Sequence, residues 1–199
     1  MMMPRGFDLI FQTERELSKI TGAPEVILTD CCTHALELCF RVEQVNYCDL
    51  PAHTYISVPM MLLKLGISFN YTDEKWVGEY LFGNTRIWDS ARRLESNMYR
   101  KNSLQCLSFG YDKPLPVGRG GAILCDDHDL ATRLRKMRSD GRDLIVTPWE
   151  SQTEWELGFH YRPTIEEAVK ISMELATYSP QSPVFKTYPD LRKINIKTV

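Results

Sequence analysis

Residues 108–124, "SFGYDKPLPVGRGGAIL", set a lysine in a loop directly after one apolar run and follow it with Gly118, Gly120, Gly121 and a second apolar run. A lysine after a strand is ordinarily a solvated charge. One held between two strands by a glycine-rich turn is placed instead as a nucleophile, because burial favours its neutral amine. The flanking runs, "SLQCLSF" (103–109) and "GAILCD" (121–126), are short and rich in β-formers, and both read as buried strands.

The same reading extends outward. "EVILTD" (25–30) and "TRIWD" (85–89) are further short apolar runs, while residues 7–22, 33–43, 54–65, 127–139 and 164–177 carry helical spacing. Alternation of this kind predicts an α/β fold, a three-layer sandwich with a mostly parallel sheet. Ligands of such folds gather at the carboxyl ends of the strands. Asp30 to Thr33, Asp89, and Ser108 to Lys113 all fall at those ends. One domain is expected over residues 1–177. The stretch 178–199 reads as an extended arm or a short edge strand.

The chain has 199 residues, 43% apolar and 25% charged, with a formal net charge of −2. That balance argues against a general nucleic-acid binder. The densest basic cluster, "RLRKMR" (133–138), has acidic neighbours and reads as a solvated helix face. Six cysteines show no CxxC pair and are expected to act as small buried hydrophobes in a reducing compartment. The N-terminus lacks the long apolar core of a secretion signal, and residues 56–69 are broken by Pro59, Lys64 and Gly66. A soluble cytoplasmic protein is the expectation.

Several motifs fail on spacing. "GRGG" is followed by no Gly-Lys-Ser/Thr, and the four histidines have no metal-ligand spacing, so no metal is expected. Cys31 and Cys32 show no placed base and read as structural thiols. The aromatic "KWVGEYLF" (75–82) reads as core or dimer surface.

Three strand-end groups remain. Asp89 is either a helix cap or a fixed anion for a buried cation. Thr33, at the start of a helix, is either a cap or part of a phosphate seat built on free N–H groups. Lys113 is the third. A phosphate seat, a carboxylate and a lysine together suit pyridoxal 5'-phosphate (PLP), which needs an amine to hold it, a carboxylate at its pyridine nitrogen and donors at its phosphate.

The run 108–124 resembles the lysine segment of the DegT/DnrJ/StrS family of PLP-dependent sugar aminotransferases. "CTHALEL", "PAHTYISVPMMLLKLGI", "WDSAR" and "GFHYRPTIEEAV" are similar, in order, to that family's Gly-Thr-Ala-Ala-Leu, Pro-x-x-Thr-Phe, Asp-Ala-Ala-Gln and Gly-Tyr-Asn-Tyr-Arg segments. The resemblance implies the fold type I large domain. It implies that Lys113 is catalytic and Asp89 faces the pyridine nitrogen. Ser108, Thr33 and the backbone of His34 would take the phosphate, Tyr55 would stack on the ring, and Ala91 and Arg92 would lie near the cofactor. His160 would reach the phosphate of a partner subunit, in a homodimer with the site at the interface.

The implied activity is transfer of an amine, from glutamate, to a nucleotide-linked keto-sugar. The alternative is a non-catalytic PLP-binding or scaffold protein, or one half of a split aminotransferase. The chain departs from the family pattern in Arg92, where glutamine or histidine is usual, in Cys32, where glycine is usual, and in His34, where a small residue is. The middle is shorter than in full-length members, and the family's C-terminal small domain is absent from this sequence.

Overall fold

The computed structural model describes residues 6–146 and 148–196. In chain order the elements are α1 (Gly6–Thr21), β1 (Glu25–Thr29), α2 (Cys32–Val42), β2 (Tyr47–Pro51), α3 (Ser57–Lys64), β3 (Ser68–Thr72) and β4 (Tyr80–Leu81). They continue with β5 (Ile87–Asp89), β6 (Leu104–Ser108), β7 (Gly121–Cys125), α4 (His128–Met137) and α5 (Ile165–Thr177). The lysine-bearing stretch therefore links two neighbouring strands, and Asp127 caps α4 by accepting from Leu130 N. Thr164 and Glu167 form a capping box at the start of α5.

One sheet has the order β1-β7-β6-β5-β4, and β2 pairs with β3 in parallel. Asp49 and Gly83 join the two groups by exchanging backbone hydrogen bonds in an antiparallel bridge. The expected mostly parallel sheet is found in part: the sheet is mixed, with most strands running one way. The β1/β7, β7/β6 and β5/β4 pairs are antiparallel, while β5/β6 is parallel. By these pairings β1, β6, β5, β2 and β3 run one way, and β7 and β4 run against them. The reversal at β4 has a local cause: a tight turn, with Phe82 N bonded to Ile87 O, sends the chain straight back as β5.

Strand alternation sorts the core onto two faces. Ile27, Cys106 and Ile123 pack with Leu36, Phe40 and Leu134 of α2 and α4. Val26, Leu28, Leu107 and Leu124 pack with Ile10, Leu17 and Ile171 of α1 and α5. Buried apolar side chains of this size each contribute roughly 1.5–3 kcal/mol. Tyr80 and Phe82 are buried, so "KWVGEYLF" does supply core. Among the described residues no helix is long and apolar enough to cross a membrane.

The arm forms no strand among its described residues and packs through buried Tyr188 and Leu191, with Leu191 N donating to Ala52 O. One sequence expectation is overturned. The basic cluster 133–138 is not a solvated face throughout, because Arg138 is fully buried and ion-paired to buried Glu14. Glu14 Oε1 also accepts from Leu28 N at 3.0 Å, and Arg135 braces the other carboxylate oxygen. A charge at this position is invisible to periodicity, since its partner is 124 residues away.

Removing one side of a buried pair strands the other charge. Glu14→Gln is expected to cost about 3–5 kcal/mol in urea unfolding, with the Glu14→Gln/Arg138→Met double variant regaining much of it. A single-variant loss below about 1 kcal/mol would show that water reaches Arg138.

Candidate active site

Lys113 sits in a loop that the sheet closes tightly. Phe109 N donates to Gly120 O and Gly118 N donates to Phe109 O, so the loop leaves β6 and re-enters β7 through adjacent positions. Gly120 has φ of +119°, a conformation that side chains resist. Lys113 N bonds Gly110 O, and its side chain is 12% exposed. A Cβ on Gly110 would lie 3.5 Å from Lys113 Cγ and 3.8 Å from Ser108 Oγ, so both side chains turn toward one space. The Lys113 ammonium stands 5.8 Å from the centre of the Tyr55 ring and 3.9 Å from Asp112.

Asp89 ends β5 and is 6% exposed. Its carboxylate accepts from Ala91 N at 2.9 Å and from the Tyr80 hydroxyl at 3.0 Å, and that hydroxyl meets Thr54 Oγ1 at 2.9 Å. Burial pushes the Asp89 pKa up, against the pull of Ala91 N, Tyr80 and the Lys113 charge. Among the described residues no cation lies within ion-pair distance of Asp89. No helix follows it, so its bond to Ala91 N caps a turn and not a helix.

The N-terminus of α2 carries no side-chain cap: Cys31 precedes it in an extended conformation and contributes no capping bond. Its first N–H groups are left for an anion. Thr33 Oγ1 stands there 2.8 Å from Ser57 Oγ at the start of α3. Ser108 makes no side-chain hydrogen bond among the described residues, which leaves a third hydroxyl.

The remaining predicted residues divide. Ala91 acts through its backbone on Asp89. Arg92 bonds Asp112 at 3.2 Å, while its Nε is enclosed without a partner. His34 contributes its backbone to the first turn of α2, but its ring turns away to Asp30 at 2.6 Å and stacks on Tyr161 at 3.7 Å. His160 is not brought to the others: its side chain is 76% exposed and pairs with Asp140. Tyr80, Thr54 and Ser57 carry parts of the site that sequence reading missed. Thr54 lies inside a quoted segment, but nothing in the sequence marks that it meets Tyr80.

Arg119 of the glycine turn closes on the other carboxylate oxygen of Asp30, at 2.7 Å. Asp30 is thereby held below the usual carboxylate range, its two cations outweighing burial. Burial alone would lower the His34 pKa. Hydrogen bonding to Asp30 and Cys31 outweighs it and raises the value to about 9.

The lysine loop, β7 and most of α5 lie in one stretch that can be compared with known families. Residues 97–172 match the family model of the DegT/DnrJ/EryC1/StrS aminotransferases. That match bears out the resemblance read from the sequence. No curated protein matches the chain in sequence. Among solved structures, AtS13 from Actinomadura melliaura is similar with a TM-score of 0.74 at 17% identity, over 85% of this chain and 60% of that one. DesV of S. venezuelae, solved with a ketimine intermediate, gives 0.69 at 17% identity, over 88% and 57%. Helicobacter pylori PseC, an aminotransferase involved in the biosynthesis of pseudoaminic acid, gives 0.68 at 13%, over 89% and 64%. These likenesses establish a shared α/β fold, and the chain spans about three fifths of the length of these structures.

The DegT-type match implies PLP, and the residues present fit it. A buried carboxylate without a counter-cation suits a protonated ring nitrogen, since such a charge is costly until it is paired. The gap at Gly110 admits the lysine, and the uncapped helix with its hydroxyls suits a phosphate.

The His34–Asp30 pair also sets a pH dependence. The folded pKa of His34 is above its unfolded value of 6.5, so its contribution is complete below that pH and is lost as pH rises through about 9. Urea unfolding of the wild type is expected to lose about 2–3 kcal/mol across that window, with His34→Gln flat by comparison. Parallel curves for the two proteins would show the pair to be energetically silent.

Proposed function

We propose that this chain is a PLP-dependent aminotransferase of the DegT type, moving an amine from glutamate to a nucleotide-linked keto-sugar. The observation that carries the reading is a buried carboxylate, Asp89, that feels the Lys113 charge yet has no cation at ion-pair distance among the described residues, together with an uncapped helix N-terminus. When bound, PLP supplies an electron sink for the carbanion formed at the substrate's amine-bearing carbon.

This chain's own residues would do the rest. Asp89 would hold a proton on the pyridine nitrogen, kept ionised there by Tyr80 and Ala91 N. Thr33, Ser108 and the N–H groups at the start of α2, including that of His34, would take the phosphate. Tyr55 would cover a ring face with its flat apolar surface. The Lys113 amine would hold the cofactor and then carry a proton to and from the substrate carbon. Arg92, drawn to Asp112, would set the charge on the cofactor's far side.

The reading takes residues 1–177 as the cofactor-binding domain, a three-layer sandwich, with 178–199 as its arm. It takes the working form as a cytoplasmic homodimer. The exposure of His160 supports that part, since only a second subunit could bring its ring to a phosphate. The second reading is cofactor binding without turnover on the same residues, or one half of a split aminotransferase.

Purified protein incubated with PLP is expected to develop a visible absorption band. Borohydride should then fix the label on the peptide containing Lys113. Lys113→Ala should lose the fixed label entirely, and Asp89→Asn should lower turnover by a factor on the order of 10² or more, about 3 kcal/mol of transition-state stabilisation. Bleaching of the band by glutamate marks an enzyme, and a stable band in its presence marks a binder. Absence of any band in the wild type overturns both.

A further inference from the structure

Two arginines keep guanidinium donors that nothing in the chain uses. Arg138 is fully buried and spends only its Nη1, on Glu14 and the Leu28 carbonyl, so its Nε and Nη2 are enclosed without a partner. Arg142 Nε is enclosed in the same way, and so is the hydroxyl of Ser139, between them in sequence. A buried donor without an acceptor is costly, most of all on a charged group. Their grouping within residues 138–142 points to an acceptor supplied from outside the chain.

Arg138 and Arg142 line one cavity of about 850 Å³, between α1 and α4 beside the start of β1. Arg15 and Lys136 line it too and, like Arg142, make no ion pair among the described residues. Four carboxylates face these cations. Glu14 and Glu25 are already paired with Arg138, Arg135 and His128, Asp143 accepts from Ile145 N, and Asp8 stands on α1. Phe11, Pro24 and Val26 add an apolar wall. No lining residue belongs to the candidate active site. The turn that carries Arg142 is fixed beforehand: Gly141 takes φ of +80°, its N donates to Lys136 O at 2.9 Å, and its carbonyl accepts from Glu156 N at 3.1 Å. Such preorganisation lowers the cost of binding. Cations already crowd one another here, since burial lowers the Arg162 pKa and the charges of Arg142 and Arg138 lower it further, against the pull of Asp140.

We infer that this cavity binds the phosphate end of a small organic ligand, with Arg142 and Arg138 as donors, Lys136 and Arg15 adding charge, and the apolar wall taking the ligand's body. Guanidinium forks match phosphate oxygens, and two of them with an ammonium suit a multiply charged group. The volume admits a ligand of nucleotide size. The inference rests on residues outside the cofactor site and holds whether or not the cofactor reading does.

The test is isothermal titration calorimetry of the full chain with ADP, adenosine and inorganic phosphate as probes. ADP is expected to bind with a Kd below about 1 mM, and adenosine and inorganic phosphate each at least about tenfold more weakly. Arg142→Gln should weaken ADP binding by about tenfold or more. Thr33→Ala should leave it unchanged, because Thr33 belongs to the separate anion seat at α2. Circular dichroism reports that the variants are folded. Should Arg142→Gln unfold, Lys136→Gln carries the same expectation. The inference is overturned if ADP does not bind, or if inorganic phosphate binds as tightly as ADP. It is equally overturned if a folded Arg142→Gln binds ADP as the wild type does, or if only Thr33→Ala loses binding.

Discussion

A Cβ placed on Gly121 would stand 2.5 Å from both the Cys31 carbonyl carbon and the Cys32 nitrogen. No side chain fits there, so the start of β7 and the start of α2 lie backbone to backbone. Everything at the site depends on that approach. It brings the lysine loop, which ends at Gly120, beside the helix that offers the anion seat, and it brings Arg119 onto Asp30. Residues far apart along the chain meet because one position lacks a side chain.

The electrostatics of the site follow from what that packing leaves unpaired. Asp30, Glu14, Glu37 and Glu79 are carboxylates with cations at hydrogen-bond distance. Asp89 is the buried exception, served by a tyrosine hydroxyl and one backbone N–H. These donors make its charge tolerable without neutralising it, and its raised pKa records the shortfall. A structural carboxylate this deeply buried would be expected to gain a cation or to be replaced by an apolar residue. Under the proposed reading, a positively charged ring would supply the missing cation.

Most of this was legible in the sequence because the signals were local. The strands flanking Lys113 are apolar runs with β-formers, and observed β6 and β7 fall inside the expected 103–109 and 121–126. Asp89, Thr33 and Ser108 sit at strand or helix ends, where position along the chain already implies position in space. What escaped was long-range. β2 and β4 were missed because "NYCDL" and "EYLF" carry no clean alternation, and β4 is only two residues long. Arg138 was misplaced because it closes a run rich in basic residues while its neighbours in space are Glu14 and Leu28.

The middle of the chain ties the candidate site to the sheet. Between β3 and β5 there is room only for a loop and the two-residue β4, yet that segment does three things. It joins β5 to β2 through the Asp49–Gly83 bridge, it fills the core with Tyr80 and Phe82, and it places the Tyr80 hydroxyl between Asp89 and Thr54. A single aromatic residue, Tyr80, thereby fills core and supports the carboxylate. The arm works in the same direction from outside. Its Lys186 pairs with Asp112 next to the lysine, Tyr188 stacks on Trp76, and the Tyr188 carbonyl meets the His53 ring two residues before Tyr55. Tyr55, Lys113 and Asp89 are thus held from three separate segments. Loss of any one contact would loosen the lysine's position relative to the carboxylate before it disturbed the core.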